Sequence, residues 1–260
     1  MQGANSYSKM EGNSSYLGFC VTESELRNEL LNRIKEKILD EEGTKELIQN
    51  FNSLAKTDFE LKKLEEIFKS GIDIEDWRIG EALAECYLEE NCNCYFYYQY
   101  SRDAKNSKAN LAGADVVGFY KIGKNFVFVF GEVKTSTDKN VPPAVVYGRS
   151  GISKQIENIK MHEVIRQNLI RWLAFKVVYL PDGNEFKKIF QNAISNYLKN
   201  TSMYNVVGIL VRDTSTNESD LSGRYAALKT GLAADTHLEL VGLYLPVKIT
   251  EIKGLLNGKS

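Results

Sequence analysis

The sequence predicts an α/β domain built on a central mixed sheet flanked by helices. Three observations lead there. Runs of β-branched and aromatic residues occur at residues 116–120, 126–130, 206–211 and 238–247, and runs of that length and composition form buried strands rather than helices. Around them lie stretches whose apolar residues recur every three or four positions, the period of a helix packed on one face. The order along the chain is helices, then α–β–β–β–α–α–β and a last strand, which suits a sheet covered by helices.

Composition bounds the reading. A chain of 260 residues with 43% hydrophobic content can bury one sizeable core plus an extension. No apolar stretch reaches the roughly 20 residues of a bilayer-spanning helix, and polar residues 1–13 lack the basic-then-apolar layout of a signal peptide. The expectation is a cytoplasmic protein that does not meet a membrane. Net charge is −1, yet residues 1–90 hold 11 Lys/Arg against 20 Asp/Glu, and the remainder 22 against 14. An acidic front and a basic remainder suit different partners, although solvated helix faces explain the acidic part as well. Cys20, Cys86, Cys92 and Cys94 form no disulfide framework, and their C-x-C spacing with two histidines (His162, His237) is poor for zinc, so free, partly buried thiols are expected.

In chain order, the Ser/Asn/Gly-rich residues 1–15 are expected to lack fixed structure. From Thr22 the pattern turns helical, with Leu26, Leu30 and Ile34 one turn apart and Glu23 and Glu25 near the positive end of the helix dipole. A second helix is expected over 45–56, and a third from Asp58, a suitable N-cap, to Lys69 before Gly71. Residues 1–70 are thus read as a helical accessory region and 71–260 as the main domain. A helix over 77–90 carries Glu81 and Glu85 on one side, where like charges repel unless solvated or shared with a cation. Residues 94–101 are tyrosine-rich and strand-like; such rings pack within sheets more often than they stack on bases. A polar loop over 102–110 follows.

Gly113-Ala114-Asp115 opens the strand over 116–120, residues 121–125 make a turn, and the next strand ends in Gly131-Glu132-Val133-Lys134. In such a hairpin the ends far from the turn lie side by side, so Asp115 approaches Glu132. A period of two puts Glu132 and Lys134 on one face. After a polar loop over 135–150 with Pro142-Pro143, a long helix is expected over 152–178, bearing Lys154, Lys160, Arg166, Arg171 and Lys176. A helix over 185–199, the strand 206–211, a polar loop over 214–222 and the last strand complete the chain.

Burying Glu132 and Lys134 together is costly unless they pair or serve a site. As a site, Asp115, Glu132, the Val133 carbonyl and Glu81 are hard oxygen donors suited to Mg²⁺ or Mn²⁺. Lys134 beside them suits a water or a phosphate, and Gly113-Ala114 would let a phosphate backbone come close. A structural ion pair between Glu132 and Lys134 is the plain alternative. His162 and His237 fit no histidine-based mechanism.

A Gly-Glu helix (Gly80-Glu81), Gly-Ala-Asp at a strand start (113–115) and Glu-Val-Lys ending the next strand (132–134) resemble the PD-(D/E)xK, restriction-endonuclease-like nucleases. The likeness spans about residues 77–211, and Ala114 stands where the pattern has proline. It implies an α-β-β-β-α-β core, with Asp115 and Glu132 as metal ligands and Lys134 as catalytic lysine. Glu81 would be a helical acid reaching the metal, and Gln155, next to Lys154, an auxiliary residue. The Gly-Glu-x-Leu-Ala-Glu helix with the Gly-Glu-x-Lys strand end further resembles the nuclease subunit of the Hachiman antiphage system, which partners a helicase. The implied function is a Mg²⁺- or Mn²⁺-dependent deoxyribonuclease acting on DNA beside a helicase-type ATPase. The other class is a non-catalytic subunit that binds nucleic acid or a partner and keeps the fold.

Overall fold

The apolar run at 126–130 lies in strand β5 (Asn125–Ser136), which pairs on both edges. The computed structural model describes residues 1–68, 74–99, 102 and 113–257. Among these residues seven strands form one sheet: β1 (Gly3–Glu11), β2 (Ser14–Val21), β3 (Cys94–Tyr95), β4 (Val116–Ile122), β5, β6 (Tyr204–Arg212) and β7 (Thr236–Tyr244), in the spatial order β1-β2-β7-β6-β5-β4-β3. The strands β2, β7, β6 and β5 run parallel, and the pairs β1/β2, β4/β5 and β3/β4 are antiparallel. The fold is a mixed α/β sheet covered by helices, with the expected helix–three strands–helices–strand order within it.

One face is covered by a helical turn α1 (Glu23–Glu25), a π-helical turn over Leu26–Leu30, and helices α2 (Leu31–Leu39) and α5 (Asp76–Asn91). The terminal helix α11 (Ile249–Leu256) joins them. Leu26, Leu30, Ile34 and Ile38 share a buried core there with Ile79, Leu83, Val129 and Val133. Between α2 and α5 lie α3 (Glu41–Phe51) and α4 (Asp58–Phe68), whose surfaces are mostly exposed. The other face carries α6 (Ala144–Tyr147), α7 (Ile152–Met161), α8 (Glu163–Val177), α9 (Glu185–Lys199) and α10 (Ser222–Lys229), around Phe119, Phe128, Phe130, Ile156, Leu173 and Leu210. Alternation along β5 therefore puts Val129 and Val133 on the α5 side, and Phe128, Phe130 and the even-numbered Glu132 and Lys134 on the α7 side.

Several expectations are corrected. Residues 1–15 are not loose, because β1 and β2 form a hairpin whose second strand lies parallel to β7. The ladder is made by backbone groups, which polar composition does not reveal; the Asn13 side-chain amide adds hydrogen bonds to Ala233 O (3.1 Å) and Ala234 O (3.0 Å). The helices expected as an accessory layer include α2, which packs on α5 in the sheet's own core. The second helix ends at Phe51 with a 3-10 turn over Asn52–Leu54, ahead of its expected limit. Of the described residues 94–99 only Cys94–Tyr95 is paired; residues 100–101 of the expected strand lie outside the described residues. So do the 70/71 boundary, Lys69 and most of the loop over 102–110. The long helix breaks at His162, where extended backbone separates α7 from α8. Arg166 makes the break affordable: its Nη1 donates to Ile159 O (2.6 Å) and Lys160 O (2.9 Å), carbonyls that a helix end leaves unpaired. The sequence pattern predicts none of α6, α10 and α11.

Candidate functional site

The hairpin register carries the site. Val116 pairs with Gly131, so β4 begins where β5 still has five residues to run, and among the described residues Glu132 to Ser136 pair only with β6. Asp115 sits just beyond the last β4 pair, at the mouth of this overhang. Its Oδ2 accepts the Val133 N–H (3.0 Å), which pins the carboxylate against β5. Lys134 Nζ contacts Glu132 Oε1 and stands 3.8 Å from Asp115 Oδ2. The hairpin thus brings Asp115, Glu132 and Lys134 together as their spacing predicted.

Glu81 arrives from the opposite face. Its helix α5 packs on the far side of the sheet, and Gly80 lies against Thr135, with no room for a Cβ between them. That close approach, at the overhang where β4 is missing, lets Glu81 line the same cavity as Asp115 and Glu132. Glu81 is 7% exposed and accepts from Arg78 Nη1 (2.9 Å); Arg78, itself buried, also donates to Lys37 O (3.1 Å). Of the two ways to keep Glu81 and Glu85 on one side, solvation or a cation, Glu85 takes the cation. It is buried, held by Lys37 Nζ (3.1 Å) and the Tyr98 hydroxyl (3.1 Å). Helix α5 is a core helix, so its like charges are separated by giving each its own cation.

The electrostatics follow from burial. Desolvation, then the charge of Asp115, pushes Glu132 up to about 7. The same two causes, opposed by Arg78, push Glu81 up to about 8. Burial raises Asp115 too, against the pull of Lys134 and the Val133 N–H. Burial lowers Lys134, but the Glu132 carboxylate outweighs it and the ammonium is held above its ordinary value. Among the described residues the buried Glu81 and Glu132 and the half-buried Asp115 therefore face two cations, Lys134 and Arg78, and a further cation would relieve them. The donors are hard oxygens, which fits Mg²⁺ or Mn²⁺. Among the described residues no three His, Cys, Asp or Glu side chains are grouped to hold a metal. A metal here would rest on Asp115 and Glu132 with non-side-chain donors such as the Val133 carbonyl, and Glu81 would stand one shell out.

The cavity at this site measures about 500 Å³. Gln155, on α7, lines it with the three carboxylates, whereas Lys154 beside it pairs with Glu157 (2.9 Å) on the exposed side. Gly113 and Ala114 also border the cavity. Sequence reasoning missed Asn158, Asn168 and Trp172 in its wall. Their signal was weak: asparagines at helical spacing among the apolar positions of α7 and α8. Elsewhere His162 is exposed, His237 lies near Tyr120, and the four cysteines are free, with Cys86, Cys92 and Cys94 buried.

Among the described residues, no helix is long and apolar enough to cross a membrane. A family model described as HamA matches residues 7–248, and no curated protein matches the chain.

Proposed function

The chain belongs to the HamA family of the Hachiman antiphage system and is an antiphage defence protein; on that premise we propose that it is a metal-dependent nuclease that hydrolyses DNA phosphodiester bonds. The observation that carries the reading is the Asp115–Glu132–Lys134 cluster at the β5 overhang, two carboxylates and an ammonium meeting at the mouth of a cavity. Asp115 and Glu132 would hold Mg²⁺ or Mn²⁺ with the Val133 carbonyl, and Glu81 and Gln155 would support them. When bound, such a metal polarises the phosphodiester and makes a nearby water more acidic.

The protein's own groups then have distinct roles. Lys134, held protonated by Glu132, donates to a phosphate oxygen or to the attacking water and offsets developing negative charge. The Val133 N–H fixes Asp115, so that no side-chain ordering is left for the moment of reaction. Hachiman is a multi-protein defence system, and a helicase-type ATPase that presents the DNA is the partner we propose.

The test is cleavage of plasmid DNA in Mg²⁺ or Mn²⁺, by the chain alone and with a helicase-type ATPase of the proposed kind. Glu132→Ala and Lys134→Ala serve as controls. Cleavage by the wild type and not by the variants supports the reading. Intact plasmid under every condition favours a non-catalytic subunit that keeps the fold.

A further inference from the structure

We propose that the cavity beside Asp115 and Glu132 receives one unstacked nucleobase, which makes single-stranded DNA the preferred substrate. For its chemistry this rests on the nuclease reading above; for binding it stands on the cavity alone. At about 500 Å³ the space falls in the roughly 300–1,000 Å³ range of small-ligand pockets. No Lys or Arg of the described residues lines it, and carboxylates occupy one end. A phosphate is therefore unwelcome inside, whereas a flat, neutral group with polar edges suits the walls.

Those walls are aromatic and amide-bearing. The Tyr98 and Trp172 rings meet edge to face, their centroids 5.4 Å apart at 66°. Gln155 and Asn158, one turn apart on α7, have side-chain amides with no hydrogen-bond partner among the described residues. Among the described residues the Asn168 amide receives only a 3.4 Å contact from Arg171. Each amide offers both a donor and an acceptor, the combination that reads a base edge. A base within a duplex is stacked and paired, so only an unpaired or extruded base reaches such a pocket. The phosphate joined to it would then lie outside, toward Lys134, the cation nearest the carboxylates.

The chain has two tryptophans, and Trp77→Phe leaves Trp172 as the sole reporter. That protein is titrated, with Ca²⁺ replacing Mg²⁺, against a short oligodeoxyadenylate, an abasic chain of equal length and a blunt duplex. Quenching of Trp172 by the oligodeoxyadenylate alone supports the proposal. Affinity for it, read by polarisation in the wild-type background, should fall about tenfold in Trp172→Leu and in Asn158→Leu, and recover in Trp172→Phe, as loss and return of base stacking and edge contacts require. Abasic chain bound as tightly as the oligodeoxyadenylate, or folded variants within twofold of wild type, would overturn it. Cleavage in Mg²⁺ is scored separately. Base-dependent quenching with intact DNA keeps the pocket and removes the nuclease, and cleavage with no base dependence removes the pocket alone.

Discussion

Gly80 has no space for a side chain because a Cβ there would overlap Thr135 Oγ1. This contact joins α5 to β5 beside Glu81, so the carboxylate's position depends on a missing methyl group. Gly80→Ala should therefore push the helix away, destabilise the fold by about 1–3 kcal/mol as overpacking does, and lower the proposed nuclease activity. Thr135→Ala in the same chain removes the Oγ1 overlap but leaves the Thr135 Cβ position 3.2 Å away, so recovery should be partial. Thermal melts of the single and double variants, with cleavage rates, check the coupling; additive losses would disprove it.

Lys134 touches Glu132 and lies near Asp115. If it stabilises charge during hydrolysis, Lys134→Ala should lower kcat by about 10²–10⁴-fold while DNA binding in Ca²⁺ changes little by comparison. Glu132→Gln should lose activity to a similar extent and weaken the response to Mg²⁺. Single-turnover cleavage over a metal titration separates the two effects. A Lys134→Ala enzyme within threefold of wild type would leave the ion pair a purely structural role.

The carboxylates predict an inverse pH dependence of stability without metal. Glu132 and Glu81 have folded values raised to about 7 and about 8 from an ordinary 4.5. The folded state thus holds protons that the unfolded state releases, and stability falls as pH rises from about 4.5 to 8. Glu132→Gln should flatten that fall, and its Tm at pH 8 should exceed the wild type's by about 2–4 °C, the shift that 1 kcal/mol makes in a domain of this size. Mg²⁺ should raise the wild-type Tm at pH 8 and do less at pH 5, where protons compete with the ion. Calorimetry at the two pH values, with and without Mg²⁺, tests both statements.

At the end of β6, Arg212 is 1% exposed and Asp220 is fully buried, and the two form an ion pair. The Tyr244 hydroxyl donates to Asp220 (2.9 Å), and Arg212 Nη2 donates to the carbonyls of Asp138 and Asn140 in the loop that follows β5. Asp220→Asn leaves a buried guanidinium without its counter-charge and should cost about 3–5 kcal/mol. Arg212→Met with Asp220→Leu removes both charges and should cost less than Asp220→Asn alone. Urea denaturation of the three proteins decides; a harmless Asp220→Asn would contradict the burial argument.

Much of the site was legible because it is local. An apolar run, a short turn and a second run form a hairpin, and a hairpin closed at 123–124 aligns Asp115 with the Glu132 end of β5 whatever surrounds it. Period two then puts Glu132 and Lys134 on one face. The helices of 77–90 and 185–199 and the strands β6 and β7 were equally plain, since their apolar patterns are long and regular.

Contacts between distant segments decided the rest. Residues 3–21 became strands because β7 offered an open edge, and backbone pairing is nearly blind to the polar side chains of β1. The helix after the site broke at His162 because Arg166 satisfies the freed carbonyls, a bond that no helical period encodes. Glu85 is buried because Lys37 and Tyr98 from distant segments supply its partners. Asp115, Glu132 and Lys134 were thus determined by sequence, through hairpin geometry. The buried Glu81, the amides of the cavity and the charge imbalance they share were decided by tertiary structure, because burial and proximity arise only when the two faces of the sheet are packed.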